Sequence, residues 1–228
     1  MKFSSSYFFP LLALLLLLVL FFSIRGFTPE SNNPFSANDI LEFRRIKDRM
    51  ISTAVGAPFY RVAGFDSLRY YPPNPEEVYL TDFQPIRNGE QLDLMPDLPG
   101  IPSHVVAGFA VLEKGSQSDT LFLLKSTKEQ SDSVYFIPFS DAGNGKKSYG
   151  GGRYLDIVHQ RGKALLLDFN YASNPYCAYR SDFVCPRVPA FNRIKWEILA
   201  GEKIFPHQPE FGIKKTQTAI AADLISRK

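Results

Sequence analysis

Cysteine is scarce in this chain, two in 228 residues, and so are tryptophan (one), histidine (three) and methionine (three). Cys177 and Cys185, spaced C-x7-C, fit neither C-x2-C zinc spacing nor a thioredoxin motif. His104, His159 and His207 are widely separated and form no H-x-H or H-E-x-x-H pattern, so no histidine metal centre is expected and no cofactor is implied. A G-x-S-x-G nucleophile elbow is missing. The formal net charge is only +3, the basic residues are scattered, and no block of consecutive Lys or Arg resembles a nucleic-acid patch, which argues against nucleic acid as a partner.

What is present is ordinary globular composition, 45% hydrophobic and 21% charged, enough for one domain behind an unusual N-terminus. Residues 7–24 are almost wholly apolar, and about 18 residues of α-helix cover roughly 27 Å, close to one hydrocarbon core. Lys2 precedes this run and Arg25 follows it, a slight bias to a cytoplasmic N-terminus with the remainder exported. No small-x-small cleavage site surrounds Ser23 to Gly26. Residues 1–26 are therefore expected to be a transmembrane signal anchor that makes the membrane a partner. The alternative is a cleaved signal peptide and a secreted protein. Residues 27–36 form a polar spacer, 37–205 the domain, and 206–228 a loosely attached tail.

Ser36 followed by Asp39 resembles a capping box, and Ile40, Phe43, Ile46 and Met50 form a stripe at helical spacing, with Arg44 and Asp48 on the wetter side. One N-terminal amphipathic helix is expected there. Beyond it, short runs with period-two patterning occur at 78–83, 105–113, 120–126, 134–139, 163–169 and 194–199, bounded by turn residues. Asn144-Gly145 reads as a tight type I′ hairpin turn. The fold class expected is mainly β, an antiparallel barrel or sandwich.

The candidate site lies between Tyr149 and Phe205. Gly150 to Gly152 let another backbone or a ligand approach, and read as a bulge because no P-loop ending or following helix accompanies them. Arg153 offers a planar fork of donors, and Asp168 and Asn170 lie on the polar face of the strand ending LLLDFN. Arg153 with Asp168 is either a ligand-reading pair or a buried structural ion pair. Asn174, Tyr179, Asn192, Glu202 and Asp141 complete the candidate pocket. Asp141, Asp156, Asp168 and Glu202 are also candidates to converge as a hydrolytic pair, and Tyr149, Tyr154, Tyr171, Tyr176, Tyr179 and Trp196 to form a stacking pocket. In an exported chain the two cysteines favour a disulfide worth about 2.5 kcal/mol in the chain-entropy model, with a reactive thiol as the alternative.

GFDSLRYYP at 64–72, FIPFSDAGNGKKSYGGGRYLD at 136–156 and DFNYASNPYCAYRSDFVCPRVPAFN at 168–192, closing with AGEKIF, resemble the DUF1684 family of uncharacterised bacterial and archaeal proteins. The resemblance spans nearly everything from the helix near Ile40 to Phe205. It carries no activity, because the family has none assigned. Gly143, Lys147 and Ser173 depart from the family pattern of Thr, Glu and an aromatic residue. Two readings follow from the residues: a cell-envelope module that binds a small ligand or an envelope protein, or a hydrolase using Asp141 or Asp168 as acid or base with Arg153 holding an anion.

Overall fold

The structure, a computed structural model, describes residues 34–95, 103–129, 131 and 133–206. The apolar run 7–24 and all but Pro206 of the expected tail lie outside the described residues. Among the described residues no helix is long and apolar enough to cross a membrane.

Helix α1 spans Ala37–Thr53, opened by Ser36, whose hydroxyl accepts the Asp39 amide at 3.3 Å. Eight strands follow among the described residues: β1 Val78–Thr81, β2 Gln84–Pro85, β3 Gln91–Leu92, β4 His104–Lys114, β5 Gln117–Ser126, β6 Val134–Phe139, β7 Arg153–Val158 and β8 Leu165–Asp168. All pair antiparallel. The larger sheet runs β2-β4-β5-β6-β7, with β3 also on β4, and β1 pairs β8 in a separate two-stranded sheet. The described strands therefore close no barrel; the larger sheet is open at β7.

One core lies on the inner face of the larger sheet, where alternate residues Leu121, Leu123, Ile137, Phe139, Leu155 and Ile157 meet Leu165 and Leu167 of β8. A smaller apolar cluster, Ile51, Phe59, Leu68, Ala178 and Tyr179, lies at the end of α1. A third, on the outer face, joins Leu94, Val106 and Leu124 to Phe122 and Phe136.

Four expectations are corrected. Asn144-Gly145 is not a two-residue turn: β6 ends at Phe139, β7 starts at Arg153, and only Gly145 of the pair has positive φ. The Asn144 amide oxygen instead accepts the Asp141 N–H at 3.0 Å, and the Gly143 carbonyl gathers three successive amides, which builds a longer loop. The tight hairpin is at Gly115-Ser116, between paired Lys114 and Gln117, where Gly115 takes the positive φ of 62° that the first position of a II′ turn demands. The glycine run is a turn ahead of β7 rather than a bulge. Gly152 has φ 91°, and a Cβ there would stand 2.7 Å from the Phe139 carbonyl oxygen. The ladder irregularity lies in β4, between Val106 and Gly108.

Residues 194–199 join no sheet, and the chain bends at Lys195 and Trp196. Ile194, Trp196, Ile198 and Ala200 alternate into the core as a strand would, yet past Trp196 their carbonyls are held by a side chain described below. The stripe of α1 is the fourth. Ile40 is buried, but Ile46 and Met50 are 44% and 60% exposed, and the inward line is Ile40, Arg44 and Ile51. The surface under the helix is polar, so a charged side chain occupies the face that an apolar one was expected to fill.

Candidate functional site

Arg153 opens β7 with its side chain wholly buried, 0% exposed. Its partner is Asp141, not Asp168: Nη2 donates to the Asp141 carboxylate at 2.7 Å and to the Ile198 carbonyl at 3.0 Å. Nη1 donates to the carbonyls of Glu202, at 3.1 Å, and Ala200. The chain bends at Ala200 and Gly201, where Gly201 takes φ 71°, and this brings carbonyls 198, 200 and 202 onto one guanidinium, which serves them in place of a neighbouring strand. Asp141 accepts the Gly143 amide on its other oxygen at 2.6 Å. This pair is architecture, and the guanidinium's bonding capacity goes largely to internal acceptors.

Asn192 has a comparable role. The β5–β6 ladder is registered at Leu124 and Phe136, and continuing it would place Phe122 opposite Pro138, which has no N–H. The Asn192 amide fills the gap, accepting from the Phe122 N–H at 2.8 Å and donating to the Phe122 and Pro138 carbonyls at 2.9 Å each.

The remaining candidates gather beneath α1. Glu202, 1% exposed, accepts the Tyr179 hydroxyl and, at 3.2 Å, the Asn174 amide, and it forms an ion pair with Lys47 of the helix. Burial and then the Glu202 charge push the Tyr179 phenol well up. Asp168 caps the turn after β8, its Oδ1 accepting from the Asn170 N–H at 2.9 Å and the Asn170 amide group at 2.8 Å. Asn170 in turn clamps the Asn74 peptide, at 2.7 and 2.8 Å. Burial raises the Asp168 carboxyl.

Sequence reasoning missed Arg44 and Lys47 as members of this cluster; their signal was the 40/44/47/51 spacing. Arg44, 7% exposed, donates to the Tyr71 carbonyl at 2.8 Å and lies 4.7 Å from the Tyr70 ring centroid. Burial draws its pKa down, offset by Tyr70, Glu202, Asp168 and Asp48.

The four acids do not converge. Asp141 serves Arg153, Glu202 and Asp168 serve the α1 junction, and Asp156 lies on the outer face of the sheet opposite Phe136. The named aromatics are equally dispersed: Trp196 is in the main core, Tyr171 stacks edge-on to Phe43, and Tyr176 packs on Phe183. Lys147 pairs with Glu197 at 2.6 Å on the surface. Cys177 and Cys185 are bridged, with Cα atoms 6.1 Å apart. No group of three His, Cys, Asp or Glu among the described residues could hold a metal ion.

A cavity of about 350 Å³ opens on the outer face of the larger sheet, walled by His104 of β4, Phe136 of β6, Tyr154 and Asp156 of β7, Glu129 and Pro186. Phe136 is central: its ring lies 5.5 Å from His104 and 4.9 Å, edge-on, from Tyr154. The Tyr154 hydroxyl donates to the Pro186 carbonyl, which ties this wall to the bridged loop. Burial holds the His104 imidazole below its ordinary range, with Nδ1 buried and without a partner among the described residues. These residues come from five separate segments, so no motif announced them.

The fold defines a mainly β domain of antiparallel sheets with one helix packed on it. Residues 63–203 match the family described as "Protein of unknown function (DUF1684)", and the chain belongs to that family. Among solved structures it is similar to the solution NMR structure of the uncharacterized protein from gene locus rrnAC0354 of Haloarcula marismortui. The two share 27% identity at a TM-score of 0.59, over 73% of this chain and 92% of that one. A comparison with curated proteins finds no match.

Proposed function

We propose that the protein is a small-ligand-binding module of the cell envelope. In this reading residues 1–26 anchor it in the membrane, the β domain stands on the extracytoplasmic side, and the ligand sits in the outer-face cavity. The observation that carries it is that cavity. At about 350 Å³ it falls in the range of ligand pockets, and it is mostly ring-walled with few polar groups, as such pockets are. The cluster around Arg153, Asp141, Asn170 and Asn192 serves as scaffold. The hydrolase alternative asks Arg153 to hold a substrate anion, whereas its donors already serve Asp141 and three carbonyls, and this favours binding over hydrolysis.

A fragment screen on the full chain by thermal shift tests the assignment. Stabilising fragments are expected with the native chain and lost in Ser126→Phe, which fills the cavity from its wall. Fragments that stabilise both proteins equally contradict the cavity as the site. For the anchor, the intact mass of protein extracted from membranes should equal that of the full chain, and a species shortened by the apolar run in the soluble fraction contradicts it.

A further inference from the structure

The chemistry of the cavity wall indicates what it takes, given that the cavity is the binding site. Three rings, His104, Phe136 and Tyr154, present π surface within one small volume. Two carboxylates, Glu129 and Asp156, share the wall, and among the described residues no lysine or arginine lines it. This negative spot belongs to a chain whose net charge is +3, so it is not a by-product of an acidic protein.

The Asp156 carboxylate makes no hydrogen bond or ion pair to another described residue. Glu129 accepts a single amide, from Ser131 at 2.8 Å, on one oxygen. The Tyr154 hydroxyl is committed to Pro186, which leaves the ring as what Tyr154 offers. A neutral or anionic ligand would meet these carboxylates with only the charge of Lys47, which makes no ion pair with Asp156, to offset them. A cation meets both the ring quadrupoles and an unpaired counter-charge.

We infer that this cavity binds a small organic cation, an amine or quaternary ammonium group held against the Phe136 and Tyr154 rings and paired with Asp156. Volume limits it to a ligand of modest size, since about 350 Å³ lies near the lower end of ligand pockets.

The test titrates the full chain with benzyltrimethylammonium, with benzyl alcohol as a neutral probe and with phenylacetate as an anionic one. Calorimetry is combined with NMR of labelled His and Tyr rings; the chain has only three histidines, so the His104 signal can be assigned. The expected result is binding of the ammonium probe with a shift of the His104 and Tyr154 signals, and affinity at least about tenfold weaker for the other two probes. Asp156→Asn, which keeps the shape of the side chain and removes its charge, should weaken the ammonium probe about tenfold, and Glu129→Gln should weaken it less. If benzyl alcohol or phenylacetate shifts the same rings as strongly and Asp156→Asn changes nothing, the cation assignment is overturned while the cavity stands. If no probe moves His104 or Tyr154, the cavity and the cation assignment fall together.

Discussion

Arg153 and Asp141 form an ion pair at 2.7 Å with both side chains closed to solvent, and the same guanidinium holds three alternate carbonyls of the segment leading to Glu202. Removing one member of a buried pair leaves the other charge uncompensated, which costs about 3–5 kcal/mol. Arg153→Met and Asp141→Leu should each lower stability by about that much, read from urea midpoints. Arg153→Lys should recover little, because an ammonium cannot fork to three carbonyls and a carboxylate. A lysine variant as stable as the native chain contradicts the strand-replacement role.

Asn192 stands in for a ladder that Pro138 cannot complete. Asn192→Ala strands the half-buried Phe122 N–H and O and the buried Pro138 carbonyl, the last costing on the order of 1–3 kcal/mol when unpaired and the Phe122 groups less. Amide exchange at Phe122 should accelerate more than at neighbouring Leu121. Uniform acceleration across β5 would point to general loosening instead.

His104 gives stability a pH dependence of definite sign. Burial lowers its folded pKa, so as pH falls below the unfolded value near ~6.5 the unfolded state binds more protons and stability is lost. Urea midpoints should fall between about pH 7 and 5, and His104→Gln should flatten that part of the curve. An unchanged slope in the variant contradicts the assignment.

Asp168 acts in the opposite direction. Its folded pKa is raised by burial, so stability declines as pH rises from about 3.9 through the folded value. Asp168→Asn keeps an acceptor for the Asn170 amide, and its urea midpoint should lose this decline without falling at neutral pH.

The bridge ties Cys185, and through it Pro186, to the Tyr154 wall of the cavity. Cys177→Ser with Cys185→Ser should cost about 2.5 kcal/mol in the chain-entropy model and weaken binding of any cavity probe. Full retention of probe affinity would separate the loop from the site.

How far the sequence could be read depended on whether a signal was local. Val134–Phe139 and the Ser36 cap are local patterns, and both stand where the residues put them. The face of α1 was misjudged because apolar spacing was assumed to mark the buried side, whereas Glu202 and Tyr71, far off in sequence, make that side polar and draw in Arg44 and Lys47. Residues 194–199 carry strand alternation, but their carbonyl partners belong to a side chain, which alternation cannot reveal. Arg153 was identified as important and assigned the wrong partner, since two acids lay at comparable separation along the chain. The cavity left no signal at all: β4, β6 and β7 bring His104, Phe136 and Tyr154 together only through register.

Whether the cavity is the site and the Arg153 and Glu202 clusters its scaffold is tested most directly by mapping where ligands touch. NMR of the full chain with a fragment mixture should give its largest shifts at His104, Phe136 and Tyr154, with Tyr179 and Asn174 unmoved. Shifts centred on Tyr179, Asn174 and Arg44, with the outer face silent, would contradict the account.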